Sequence, residues 1–341
     1  GPGSVVSTYS LSLPGSTNSG LVDTASGQAV LLRTSASGVE GYIASGEVVF
    51  TVTVDVATGE VTLTQARALH HPIDTDHNDP VSMSAGLISL TRSDTITDGD
   101  GDSAAGSASI DLGAQLTFLD DGIGGNNGNA LIATLDETDG LDTAVITAAV
   151  VAGAFPAPTA GADGVLPGMG YVLKATDGAP SGLWLTGQSD PAQELVVVKV
   201  SDTQYELRSG DTNTLALSVS IDAATGEVTV TQHAALEHLV DGDTAADHDD
   251  VLSLTGLFEV ERTVFDGDLD SVKQSTALSI EVRDDGPSVT VQASGSTPAP
   301  TLTVDETTLG TVATASFAAL FGNTPTYGAD GAGSVVSTYS L

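Results

Sequence analysis

The chain has no cysteine among its 341 residues, which excludes disulfides, thiolate zinc centres and a cysteine nucleophile. Another staple is required. Basic residues are scarce as well, 9 against 45 acidic ones, for a net charge of -36. A field of that sign repels nucleic acid and anionic lipid and attracts cations, so neither nucleic acid nor a membrane surface is an expected partner. No uninterrupted apolar run is long enough for a transmembrane helix, and no signal peptide precedes the first expected strand. Catalytic signatures are missing too. There is no Gly-x-Ser-x-Gly elbow, no phosphate-binding loop and no Gly-x-Gly-x-x-Gly following a strand. Carboxylates are so dense that a glycosidase-like pair carries no information. The chain is not expected to be an enzyme.

What is present is repetition. Gly3-Ser4-Val5-Val6-Ser7-Thr8-Tyr9-Ser10-Leu11 returns as Gly333-Ser334-Val335-Val336-Ser337-Thr338-Tyr339-Ser340-Leu341, an offset of 330. The stretch 55–65 reads again at 222–232, an offset of 167, so the repeat is about 165 residues long. Asp98-Gly-Asp100-Gly-Asp102-Ser103 reappears as Asp266-Gly-Asp268-Leu-Asp270-Ser271, and Asp136-Glu137-Thr138 as Asp305-Glu306-Thr307. Drift of a few residues between echoes places insertions in loops. Matched neighbours of this kind suit a task needing many copies, such as spacing, display or multivalent attachment. Gly1-Pro2, standing where the other copy has Gly331-Ala332, read as a remnant of preparation with no part in function.

With 40% hydrophobic residues each repeat has enough apolar mass for its own core. Short Val, Thr, Ile and Leu runs alternate with Gly, Asp and Ser clusters, which predicts strands over 5–13, 29–34, 46–56, 60–66, 87–93 and 107–119. The second repeat predicts strands over 195–200, 204–207, 215–231 (a hairpin), 251–264, 276–282 and 288–292. Helical periodicity is confined to 313–320 and 232–238. Thr on alternate positions gives one solvated and one apolar face, so the expected class is all-β: tandem antiparallel β-sandwich domains of Ig-like or cadherin-like form. A β-helix would need a period of six to nine residues, and none is present. Asp-Asp-Gly closes each repeat and Asp-Glu-Thr opens the next. On that frame 3–121 is most of one repeat, 122–130 a linker, 131–286 a full repeat, 287–299 a second linker, and 300–341 the start of a third, which could complete a neighbouring unit.

Three acidic groupings are candidate metal sites. Asp98, Asp100 and Asp102, with Asp266, Asp268 and Asp270, put carboxylates at every second position of a turn, as calcium's oxygen shell requires. The positions that an EF-hand would give to Gly and Glu hold other residues, so a solvated acidic turn is the plain alternative. Asp120 and Asp121 with Asp136 and Glu137, then Asp284 and Asp285 with Asp305 and Glu306, would bring four carboxylates to each junction, where calcium would stiffen the hinge. The plain alternative is that Asp-Asp-Gly only signals a turn. The third grouping is Asp76 and Asp79, matched by Asp247 and Asp249. Near His70 and His71 it could imitate a zinc site, or hold calcium, or be a polar loop. Trp184 and Tyr171 offer a different possibility, a stacking platform for a glycan.

Together the opening Asp-Glu-Thr (136–138, 305–307), the internal Gly-Ala-Asp-Gly (161–164, 328–331), the Asp-Gly-Asp-x-Asp-Ser turn (98–103, 266–271) and the closing Asp-Asp-Gly (120–122, 284–286) resemble the extender repeats of giant bacterial adhesins of the repeats-in-toxin class, exported by type I secretion. The resemblance implies β-sandwich domains strung end to end and calcium bound during folding outside the cell. It also implies a rod that carries a terminal binding region away from the bacterial surface in adhesion and biofilm. It assigns the linker role to Asp120, Asp121, Asp136, Glu137, Asp284, Asp285, Asp305 and Glu306. Expected partners are neighbouring repeats and Ca2+, and the duplicated ends suggest head-to-tail association through 334–341.

Overall fold

The computed structural model describes residues 4–240, 244, 247–295 and 298–340. Asp243, Ala245 and Ala246 of the second acidic loop, and Gly3 and Leu341 of the duplicated ends, lie outside the described residues. The protein is all-β, as the alternating pattern predicts. The first repeat supplies β1 (Ser4–Ser12), β2 (Asn18–Val22), β3 (Ala29–Ser35), β4 (Gly38–Tyr42), β5 (Val48–Val54), β6 (Val61–Gln65), β7 (Pro80–Ser82), β8 (Ser89–Thr97), β9 (Ser103–Asp111) and β10 (Thr117–Leu119). The second supplies β11 (Leu131–Asp136), β12 (Thr143–Ile146), the helix α1 (Ala148–Ala154), β13 (Val165–Lys174), β14 (Leu195–Ser201), β15 (Gln204–Ser209), β16 (Leu215–Ile221), β17 (Val228–Gln232), β18 (Val251–Asp266) and β19 (Ser271–Arg283). The hairpin β20 (Ser288–Ala293) and β21 (Phe321–Thr326) follows.

Sheet order displays the duplication. The four-stranded meander β3-β4-β5-β6 is matched by β14-β15-β16-β17, extended at the β3 edge by β2 in the first repeat and at the β17 edge by β12 in the second, and the three strands β1-β8-β9 are matched by β13-β18-β19. The second repeat adds β11, parallel to β19, with Leu131 opposite Leu278 and Leu135 opposite Val282. In the chain described, β9 has no such neighbour. Two compact units emerge: residues 1–127, 155–170 and 262–274 form one, and 128–154, 171–261 and 275–341 form the other. A repeat in sequence and a compact unit in space are therefore different divisions, since 155–170 and 262–274 belong to the second repeat and to the first unit.

In the first unit, Val30, Leu32, Val39, Val49, Phe50 and Val52 of the meander pack with Met83, Ile88, Leu116 and Phe118. The Phe50 and Phe118 rings lie 5.1 Å apart. Residues from two sheets facing one core make a sandwich. The second unit repeats this with Tyr205 edge-on to Phe258 at 6.2 Å. Each buried aliphatic or aromatic side chain contributes about 1.5–3 kcal/mol, so these layers carry most of each unit's stability.

The hairpin connections show sequence dictating geometry. Asp55 Oδ1 accepts from the backbone N–H of Ala57 and Thr58 at 2.9 and 2.7 Å, and Asp222 does the same for Ala224 and Thr225 at 2.9 and 2.7 Å. Gly59 and Gly226 then adopt φ of 76° and 78°, the left-handed region open to glycine. A tyrosine ring lies over each glycine. A Cβ on Gly59 would stand 2.8 Å from Tyr9, and one on Gly226 3.0 Å from Tyr171. Tyr9 N and Tyr171 N donate to Val56 O and Ala223 O, so the two tyrosines are structural counterparts.

Several local expectations change. The stretch 107–119 is broken by a 3-10 turn, Gly113–Gln115. The windows 232–238 and 313–320 are not α-helical; only Ala318–Leu320 turns, as 3-10, and the α-helix is Ala148–Ala154 instead. A weak apolar period cannot outbid strand pairing or chain reversal. Tyr171 is 2% exposed and Trp184 Nε1 donates to Asp190 O at 2.9 Å, so the two do not form a stacking platform. The segment 334–340 runs along the β20–β21 hairpin, with Tyr339 6.3 Å from Phe321.

Candidate metal centres

In the first unit, β7 and β10 pair with Phe118 opposite Val81 and Leu119 opposite Pro80. That register sets Asp79, just before β7, beside Asp120, just after β10, and Asp120 N donates to Asp79 O at 3.1 Å. His71, a few residues past the end of β6, completes a buried trio whose donor atoms all lie within 4.8 Å of one another. His71 Nδ1 is 3.3 Å from Asp79 Oδ1, without hydrogen-bond geometry. His71 Nδ1, both Asp79 oxygens and Asp120 Oδ2 are buried and have no hydrogen-bond partner. Such groups are costly unless something else binds them.

Asp120 also belongs to a second trio with Asp121 and Asp163. The loop bearing Asp163 is anchored by Ala162 N, which donates to Asp121 Oδ2 at 2.7 Å. Gly161 permits that approach, since a Cβ there would stand 1.9 Å from the same oxygen. The turn Asp266–Asp270 lies in the same unit, and Asp268 Oδ2 accepts from His71 N at 3.2 Å. Asp266, Asp268 and Asp270 are buried, each with an unpartnered oxygen. Burial, with like charge from Asp268 and its neighbours, pushes Asp266 up to about 7, and burial raises Asp163 to about 6.

The second unit repeats the arrangement. His238 Nδ1 is 3.1 Å from Asp250 Oδ1, and His238 Nε2 is 3.5 Å from Glu137 Oε2 and 3.9 Å from Asp284 Oδ1. Asp284 N donates to Asp250 O at 2.9 Å, matching the bond from Asp120 to Asp79. Asp284, Asp285 and Asp330 form the second trio, and Ala329 N donates to Asp285 Oδ2 at 2.9 Å. Glu137 is wholly buried; its Oε1 accepts from Gln232 Nε2 and from Leu236 N. Burial raises Asp284 to about 6. Burial alone would lower His238, but the Glu137 hydrogen bond and the surrounding carboxylates outweigh it and raise the imidazole.

The anticipated residues divide unequally. Asp79, Asp120, Asp121, Glu137, Asp284, Asp285, Asp266, Asp268 and Asp270 stand in or beside these centres. Glu137 meets His238 and Asp284 rather than Asp120 and Asp121, and Asp136 is an exposed cap that accepts from Thr138 N at 2.9 Å. Asp305 and Glu306, expected beside Asp284 and Asp285, are exposed; Asp305 Oδ1 accepts from Thr307 N at 2.7 Å. Asp98, Asp100 and Asp102 lie together on the surface, with Asp98 Oδ1 accepting from Gly101 N and Asp102 N. Asp76 is exposed, Asp247 opens a 3-10 turn, and Asp249 faces Arg283 at 3.4 Å. Sequence reasoning missed Asp163, Asp330, Asp250 and the His71/His238 correspondence. The signals were available: Gly-Ala-Asp-Gly recurs at 161 and 328, and His71 and His238 share the offset of 167.

Oxygen-only trios fit a hard divalent cation such as calcium. The trios that include imidazole offer a mixed nitrogen and oxygen set, which also accommodates borderline metals. No helix among the described residues is long and apolar enough to cross a membrane.

Fold and centres together define a tandem all-β repeat protein with a duplicated, carboxylate-rich centre. The chain belongs to the family described as a domain of unknown function, DUF5801, whose model matches residues 1–113 and 132–279. No curated protein matches the chain in sequence. A solved structure described as "PcdhgB3 EC1-4 in 50 mM HEPES" aligns at 10% identity with a TM-score of 0.19, covering 88% of this chain and 52% of that one. The chain thus spans about half the length of that protein.

Proposed function

We propose that this chain is a calcium-stabilised structural repeat, an extender or spacer of a secreted or surface-attached bacterial adhesin, and that it has no catalytic role. The observation that carries the reading is the duplicated centre: His71, Asp79, Asp120, Asp121 and Asp163 recur as His238, Asp250, Asp284, Asp285 and Asp330, with buried unpartnered donor atoms in both copies. Buried carboxylates without a counter-charge oppose folding. A divalent cation held by Asp120, Asp121 and Asp163, or by Asp284, Asp285 and Asp330, cancels that repulsion and fastens the Gly-Ala-Asp-Gly loop to the Asp-Asp-Gly turn. Folding is then coupled to external calcium by mass action. The mechanical result is a stiff segment that works outside the cell through contacts between successive repeats, contributing to adhesion and biofilm through its parent.

Isothermal titration of chelator-stripped protein tests this. Saturable calcium binding that is weakened by Asp120→Asn and by Asp284→Asn supports the reading. Absence of calcium binding rules it out, and tighter binding of zinc or manganese reassigns the centre to another metal.

A further inference from the structure

The second unit gathers three buried donor atoms that no partner satisfies, and one of them is an imidazole nitrogen. Strand pairing brings two of the three together. β11 runs parallel to β19 with Asp136 opposite Arg283, so the residues that follow, Glu137 and Asp284, emerge side by side. The third is His238, a few residues past the end of β17. His238 Nε2 is 3.5 Å from Glu137 Oε2 and 3.9 Å from Asp284 Oδ1, beyond ordinary hydrogen-bond length. These same three atoms are buried without a hydrogen-bond partner, and the side chains of His238 and Glu137 are 5% and 0% exposed.

The surroundings turn those atoms toward one another. His238 Nδ1 lies 3.1 Å from Asp250 Oδ1. A carboxylate only accepts, so Nδ1 carries the proton and the neutral ring presents its lone pair at Nε2. Asp250 is held in turn by Asp284 N, which donates to its main-chain oxygen at 2.9 Å. Glu137 Oε1 accepts from Gln232 Nε2 and Leu236 N, which leaves Oε2 for another partner. A carboxylate behind the imidazole and N–H donors behind the ligating carboxylate are the supports that metal ligands ordinarily have. Charge points the same way. Three carboxylates surround one imidazole, and even a protonated ring would offset only one of them.

Donor type and spacing select the ion. Calcium takes six to eight oxygens, whereas this trio offers one nitrogen and two oxygens. Ligands about 2.0–2.2 Å from a tetrahedral centre stand about 3.3–3.6 Å apart, so the observed separations close onto such an ion with sub-ångström movement. We propose that Glu137, His238 and Asp284 form a zinc-class site, holding a borderline divalent ion with water at the fourth position, distinct from the oxygen-only trio of Asp284, Asp285 and Asp330. Asp284 is common to both trios and has an oxygen for each ion. The ion ties the Asp-Glu-Thr turn to the chain after β17 and to the end of β19, and so fastens the opening strand of the repeat to its sheet. The assignment stands whether or not the neighbouring trio takes calcium.

Zinc titration of the intact, chelator-stripped chain in saturating calcium tests it, with calcium release followed in the same solution. The expected result is saturable zinc uptake with no calcium released. His238→Gln and Glu137→Gln should each abolish that uptake in the second unit, and Asp250→Asn, which removes a positioning residue, should weaken it about 10–100-fold. With cobalt(II) in place of zinc, the paramagnetically shifted proton spectrum should contain an exchangeable imidazole N–H signal that His238→Gln removes. Uptake unchanged in His238→Gln overturns the proposal, as does zinc that displaces calcium ion for ion. Circular dichroism confirms that each variant is folded, and absence of the cobalt-shifted N–H signal from the unaltered chain overturns the proposal with no variant required. Calcium binding without zinc uptake sinks this inference alone; zinc uptake without calcium binding supports it and rules out the calcium reading.

Discussion

Replacing Asp284 by asparagine should change stability in opposite directions with and without calcium. The side chain is 12% exposed, shares both trios of the second unit, and is raised by burial from 3.8 to about 6. A displacement of about two pKa units corresponds to roughly 3 kcal/mol of penalty on the ionised form at neutral pH. Asparagine keeps the shape and removes that charge, so in chelator Asp284→Asn gains up to about 3 kcal/mol. For a unit of this size about 1 kcal/mol moves Tm by roughly 2–4 °C, which gives an increase on the order of 6–12 °C. With calcium the order reverses. A site at a hundredfold excess over its Kd contributes about 2.7 kcal/mol, and the variant loses an acidic ligand common to two trios. Thermal unfolding by circular dichroism at neutral pH, in chelator and in saturating calcium, gives all four values. A variant less stable than the parent in chelator, with an unchanged calcium increment, would refute the reasoning.

Stability without a cation should fall as pH rises from about 4 to 7. Asp266, Asp163 and Asp284 carry raised values of about 7, 6 and 6, so their neutral forms favour folding below the unfolded value and that contribution disappears through the folded one. His238, also raised, acts in the same direction; urea unfolding across pH in chelator reads the slope, and calcium should flatten or invert it. Asp268→Asn should reduce the calcium-induced rise in Tm, whereas Asp100→Asn, in the exposed copy of the same turn, should leave it within about 0.5 kcal/mol in the same melts. Gly226→Ala should cost about 1–3 kcal/mol by urea denaturation, because it places a Cβ at a φ of 78° and 3.0 Å from the Tyr171 ring.

Alternation made the meanders legible. The apolar runs of β5 and β16 bury every second or neighbouring side chain, and the Asp55 and Asp222 turns carry their own capping oxygens and glycines. The strands missed in sequence include those whose patterns are diluted, β2 and β4 by glycine and β13 by Pro167 and two glycines, and β11 by its position in what read as a linker opening. The acidic sites were legible as composition but not as grouping. Asp98–Asp102 and Asp266–Asp270 are nearly identical in sequence, yet one turn is solvated and the other buried, because environment rather than motif decides desolvation. Glu137 and Asp136 are adjacent, yet Asp136 ends β11 as an exposed cap while Glu137 opens a 3-10 turn and is buried. Pairing Asp79 with Asp120 required the β7–β10 ladder, a contact no local spacing reveals.

The central claim is that a cation completes the duplicated centre. Thermal unfolding of the intact chain in excess chelator, followed by titration with calcium and with magnesium as control, tests it most directly. A saturable, calcium-selective rise in Tm on the order of 10 °C is the predicted result, from about 2.7 kcal/mol at each of the sites. A melt indifferent to calcium would contradict the account and leave the buried carboxylates without a cation to compensate them.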